Sequence, residues 1–156
     1  MIIRDWMKHK VFSIKTNATL REAASLIVEH HIGVLPVVDE KDRLVGIISI
    51  RDLLSLELPD FFKLVRDLDF VHNFGAVETT RPTPEQLDAP VTTLMQPVLS
   101  VMESSGLLRS YALMLKRELQ DLPVVNEAGE LVGIASRVDI GTAVLSSWKI
   151  VPSSTP

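Results

Sequence analysis

Residues 36–52 read PVVDEKDRLVGIISIRD, and residues 123–139 read PVVNEAGELVGIASRVD. Ten of the seventeen positions are identical without a gap, which identifies an internal duplication and makes it the frame for every other element. Pro36 aligns with Pro123, Gly46 with Gly133, Ser49 with Ser136 and Asp52 with Asp139, each pair 87 residues apart. Within each copy two short apolar runs flank a polar turn. Leu35–Val38 and Leu44–Ile48 are joined by 39–42, and Leu122–Val125 and Leu131–Ala135 by 126–129. Asn126 and Gly129 suit the first and fourth positions of a type I turn. The runs are nearly continuous, so the strands are expected to be buried on both faces.

Working outward, the same offset holds for Leu20–Ile32 and Leu107–Leu119, each with apolar residues at helical spacing. Thr19 and Glu22 form a capping-box pattern at the start of the first. Upstream, Val11–Ile14 and Val98–Val101 read as short strands, and closing helices are expected from about Arg51 to Leu56 and from Val138 to Ser147. The fold class is therefore mixed α/β (α+β), with two pseudo-twofold-related repeats, each a short three-stranded sheet with two packing helices. The boundaries are 1–56 for repeat one, 57–90 for an insert, 91–150 for repeat two and 151–156 for a flexible tail. One such unit is small for a self-sufficient core, and two copies bury together what neither buries alone. In the insert, Pro59 and Asp60 open a helical pattern. Asn73–Gly75 and 79–84 carry loop chemistry.

Composition narrows the function. In 156 residues a net charge of −4 argues against nucleic-acid or membrane-surface binding, which needs a basic footprint. The absence of cysteine removes thiolate chemistry and Cys-based zinc sites. No apolar run approaches membrane-spanning length and the first residues carry no secretory pattern, so the expectation is a cytoplasmic chain with no membrane role.

With both copies laid out, the chain resembles a tandem pair of CBS domains. The resemblance rests on the Leu-Pro-Val-Val starts at Leu35–Val38 and Leu122–Val125, on the Gly-Ile-x-Ser-x-x-Asp segments at Gly46–Asp52 and Gly133–Asp139, and on Met7 and Met95 ahead of each first strand. It implies a regulatory module that binds AMP, ADP, ATP or a related adenosyl ligand between the repeats, forms a homodimer and controls another, unidentified protein. The adenine nucleotide is then a regulatory ligand, with no catalytic cofactor. The alternative is a ligand-free dimerisation and interaction scaffold.

The resemblance assigns ribose and phosphate contacts to the Gly-Ile-x-Ser-x-x-Asp segments. Physically, an ionised Asp can accept from two ribose hydroxyls, and a helix start offers unpaired N–H groups to which a Ser hydroxyl adds a donor. The same Ser-x-x-Asp pattern also serves as an ordinary helix cap that binds nothing. The preferred nucleotide cleft sets Ile134, Ser136, Arg137 and Asp139 opposite Lys10, Val11, His31 and Ile32, with Gly33, Val34 and Pro36 completing the wall. Its cations suit a phosphate. A weaker cleft sets Ile47, Ser49, Arg51 and Asp52 opposite Val98, Leu119, Gln120 and Asp121, where the Asp121 carboxylate repels phosphate. Gly46 and Gly133 have two readings, close ligand approach or a tight strand position. No catalytic residue and no metal ligand set is identified: the four histidines lack an i,i+4 pairing, and no nucleophile elbow or phosphate loop is present. Phe61, Phe62, Phe70 and Phe74 concentrate in the insert as satellite core or dimer packing, with a partner-docking patch as the alternative.

Overall fold

The computed structural model describes residues 1–57 and 81–150. The insert helix expected from Leu58, its phenylalanines, most of the loop after it, and the expected tail lie outside these residues. The described elements are β1 (Ile14–Lys15), α1 (Leu20–His30), β2 (Val34–Val38), β3 (Leu44–Ser49) and α2 (Ile50–Leu54) in the first repeat. After α3 (Pro84–Leu87) come β4 (Val101–Met102), α4 (Leu107–Lys116), β5 (Asp121–Val125), β6 (Leu131–Ser136) and α5 (Arg137–Ser146). The strands form two three-stranded sheets, ordered β1-β2-β3 and β4-β5-β6. Among the described residues no helix is long and apolar enough to cross a membrane.

Local chemistry sets the boundaries. Thr19 accepts from the Glu22 N–H while the Glu22 carboxylate accepts from the Thr19 N–H at 2.8 Å, so α1 opens with the expected capping box. Leu20, Ala23 and Ile27 form its buried stripe. The helix stops at His30 rather than Ile32 because His31 turns left-handed, φ 52°, and Ile32 N–H reaches back to the Ile27 carbonyl. Its counterpart Glu118, φ 54°, ends α4 in the same way, with Leu119 N–H on the Met114 carbonyl. The first strands begin three residues later than expected, at Ile14 and Val101. In the second sheet β4 pairs in parallel with β5 only through Val101↔Val124 and Met102↔Val125, because Pro123 has no N–H with which to extend the ladder. Burial on both faces holds for β2 and β5, each with four consecutive buried residues, but β3 and β6 alternate. α3 was not expected; it starts with a capping box from Thr83 and Gln86, and Pro84 occupies its first turn.

The described residues divide into two compact units, and the division does not follow the repeats. One unit holds 1–12, 38–45 and 98–150. The other holds 13–37, 46–57 and 81–97. In the first, Ile3 and Met7 join Leu107, Met114, Leu122, Val124, Ala135, Ile140 and Ala143 in one core. Lys8 exchanges two backbone hydrogen bonds with Ile134, at 2.9 and 3.0 Å, and so covers the open edge of β6. In the second unit Gln96 does the same for Ile47, at 2.8 and 3.0 Å, and Val91 is fully buried. Each repeat is thus completed by the segment that precedes the other.

Candidate functional site

The two Gly-Ile-x-Ser-x-x-Asp segments carry a strand into a helix. Gly133 and Gly46 are glycines because methionines occupy the space a side chain would need. A Cβ on Gly133 would lie 2.3 Å from the Met7 sulfur, and one on Gly46 2.3 Å from the Met95 sulfur. Neither glycine provides close approach for a ligand, and each marks instead the seat of a lead-in methionine.

Beyond the glycine, β6 ends at Ser136, whose extended backbone (φ −87°, ψ 164°) makes it the N-cap of α5. Asp139 N–H donates to Ser136 Oγ at 3.1 Å, and Asp139 Oδ2 accepts from both the Ser136 N–H at 2.9 Å and the Ser136 hydroxyl at 2.8 Å. Ser49 and Asp52 repeat the pattern at 3.3, 2.8 and 2.9 Å. The capping reading therefore holds in both copies. It corrects one expectation: the serine proton is directed at its own aspartate and is not a spare donor for phosphate. It also leaves something over. All three bonds use Oδ2 and the serine oxygen, so among the described residues Oδ1 of Asp139 and of Asp52 accepts no hydrogen bond. A carboxylate oxygen has two lone pairs, so this remaining atom can take two hydroxyl donors.

The helix start is less open than the sequence suggests. Arg137 N–H donates to the Gln120 carbonyl at 3.0 Å, as Ile50 N–H does to Gly33 at 3.0 Å. With the N-cap and third amides held in the box, only the Val138 N–H lacks a described partner at the start of α5. The Arg137 guanidinium donates through Nε to the Leu119 carbonyl and keeps its two amino groups without a described partner.

Two neighbours of Asp139 escaped sequence reasoning. Lys8 Nζ lies 3.9 Å from Asp139 Oδ2, brought there by its pairing with Ile134. Asp121 is the register partner of Ser136 across the hairpin. Burial, together with repulsion from Asp139, holds its carboxyl above the ordinary aspartate range, against the attraction of Lys8. Counting back equally from the turn does not find this pair, because the register shifts by one residue between Val124 and Val125. For Lys8 no local signal exists.

Of the preferred site, Lys10, Val11, Ile134, Ser136, Arg137 and Asp139 lie in one unit, and His31, Ile32, Gly33, Val34 and Pro36 lie in the other. Of the weaker site, Val98, Leu119, Gln120 and Asp121 lie in the first unit, and Ile47, Ser49, Arg51 and Asp52 in the second. Lys10 sits over the Phe12 ring at 5.6 Å. Pro36 is fully buried, which makes it a core residue and corrects its assignment to a ligand wall. His31 serves as the left-handed cap of α1.

The sequence profile of the CBS domain matches residues 3–58 and again 91–146, the two stretches that carry these segments. The chain belongs to the CBS-domain family. A CBS domain-containing protein of Arabidopsis thaliana chloroplasts, CBSX1, is 32% identical over 143 residues, covering 88% of this chain and 61% of the relative. An uncharacterized 17.7 kDa protein of Acidianus ambivalens is 31% identical over 137 residues, covering 87% and 68%. Against the plant relative the chain therefore spans about three-fifths of the length. Among solved structures, CBSX2 in complex with AMP superposes with a TM-score of 0.70 at 29% identity, covering 94% of this chain and 98% of that one. This CBS pair thus has the two-sheet mixed architecture of its solved relatives.

Proposed function

We propose that this CBS pair is a regulatory module that binds an adenine nucleotide through the Ser136–Asp139 segment, with AMP preferred. The observation that carries the reading is Asp139 Oδ1: an acceptor without a described protein partner, fixed by a capping box that uses only the other oxygen. Binding would then require no rearrangement of the carboxylate. Lys8, beside Asp139, and the two amino groups of Arg137 are phosphate donors in the same unit. Against Asp121 and Asp139 these two cations leave no net positive charge, which favours a monophosphate over a triphosphate. The likeness to CBSX2, solved with AMP, supports the same ligand class. Ser49 and Asp52 have no lysine counterpart at Gln96, so the first repeat is the weaker site.

Isothermal titration of the full chain with AMP and ATP tests this. Asp139→Asn retains a cap acceptor but removes the charge, and should weaken AMP at least tenfold, while Asp52→Asn has the smaller effect. Each variant should lose about 0.5–2 kcal/mol of stability through its cap, so the thermal midpoint is read alongside. Equal effects of the two variants on AMP would overturn the choice of site. A second reading, a ligand-free scaffold, draws on the same capping boxes, since Ser136 and Asp139 already satisfy one another. It predicts that neither AMP nor ATP shifts the midpoint at millimolar concentration.

A further inference from the structure

The duplication points to a second site, away from the Ser-x-x-Asp segments. In the first repeat a groove of about 420 Å³ is lined by Ile14, Arg21, Glu22, Ser25 and Leu26. At the equivalent place in the second repeat, between β4 and α4, lies a cavity of about 510 Å³ lined by Ser100, Val101, Ser105, Arg109, Leu113 and Lys116 among others. Val101, Arg109 and Leu113 are the 87-residue counterparts of Ile14, Glu22 and Leu26, so the two cavities are one feature copied with its charge changed.

The change is a reversal at two positions. Glu22 became Arg109 and Glu29 became Lys116. In the first repeat the Glu22 carboxylate is tied to the Thr19 N–H at 2.8 Å. In the second, neither Arg109 nor Lys116 has a described hydrogen bond or ion pair, and Glu103 is taken by Arg4 at 2.9 Å. Seven residues apart on α4, the two cations share a face two turns long, about 10 Å. Val101, Ala112 and Leu113 supply an apolar floor, and Ser100 and Ser105 supply hydroxyls on the strand side. Two unpaired cations around an apolar cavity, in a chain of net charge −4, complement one kind of guest.

We propose that the β4–α4 cavity binds a small organic anion: an acidic head, phosphate, sulfonate or carboxylate, on an apolar body. The ligand is distinct from the nucleotide, and the proposal stands whether or not the Asp139 site binds AMP. The probe is 8-anilinonaphthalene-1-sulfonate, a sulfonate on an aromatic body, titrated by fluorescence into the full chain. Saturable one-to-one binding is expected, weakened by sulfate and unaffected by AMP. Arg109→Glu with Lys116→Glu, which places the repeat-one residue at both positions, should weaken the probe at least tenfold. Arg109→Gln with Lys116→Gln should weaken it severalfold, and serves as the reading if the reversal variant unfolds. The same affinity in the glutamine variant and the parent would put the dye on exposed apolar surface, such as Val138 and Leu145 of α5 and Trp148 after it, and overturn the proposal. Displacement of the dye by AMP, or no binding by the parent, would overturn it as well.

Discussion

The turns of the two hairpins are built alike from different residues. In the first, Asp39 Oδ1 accepts from the Lys41 and Arg43 N–H groups, both at 2.9 Å, and in the second Asn126 Oδ1 accepts from Ala128 and Glu130, both at 3.0 Å. Asp42 and Gly129 hold the same left-handed position, φ 60° and 79°. The turns also meet: Leu44 N–H donates to the Gly129 carbonyl at 3.0 Å and Leu131 N–H to Asp42 at 3.1 Å. Side-chain charge has not been kept in the same way. Val34 corresponds to Asp121, Glu22 to Arg109 and Glu29 to Lys116. Duplication here preserves what the backbone needs and leaves side-chain charge free to diverge, so function is to be sought where the copies differ.

The largest effects should come from the part the copies share most closely, the methionine seated on a glycine. Met7 is 7% exposed in the core, and Met7→Ala should cost about 2–5 kcal/mol by urea unfolding. Gly133→Ala pushes a methyl into the Met7 sulfur and should cost about 1–3 kcal/mol. The double variant should cost clearly less than the sum, because the new methyl partly refills the space Met7 leaves. Strict additivity would mean that the two residues do not share that space.

A smaller effect separates the turns. Gly129 has open space around its missing Cβ, so conformation alone resists a side chain there. Gly129→Ala should cost about 1–2 kcal/mol for the left-handed backbone. Gly129→Asp, which copies Asp42, should cost less, since Asp tolerates that region better. Equal losses in chemical denaturation would show that the turns are less alike than their hydrogen bonds indicate.

What could be read without the structure follows from range. The repeat, both hairpins and the Thr19–Glu22 box are local patterns and are found where the residues put them. The helix at Pro84–Leu87 was legible too, since Thr83 and Gln86 make a box around a first-turn proline, but the threonines and prolines before it gave a stronger loop signal. The exchange of lead-in segments was not legible. Lys8 reaches Ile134 and Asp139 across more than a hundred residues, and nothing near Lys8 specifies where it docks. For the site this meant that the spacing of Ser136 and Asp139 made their capping box legible, while Lys8 and the coupling to Asp121 were not, and Pro36 belongs to the core.

The smallest effect tests the divergence beside Asp139 directly. Burial and the Asp139 charge hold the Asp121 carboxyl above its ordinary value, and Lys8 opposes them. A folded value above the unfolded one favours the protonated folded state. That contribution is fully present below about pH 3.9, the ordinary aspartate value, and is lost as pH rises through the folded value. At pH 7 the ionised Asp121 is therefore a liability. Asp121→Asn, neutral and nearly the same shape, should raise the thermal midpoint at pH 7 and lose that advantage at pH 3. Removing Lys8 takes away the opposing attraction, so Lys8→Met should make the advantage of Asp121→Asn at pH 7 larger. If the asparagine variant matches the parent at every pH, neither burial nor the Asp139 charge disfavours the ionised Asp121. The second repeat would then differ from the first there in sequence alone.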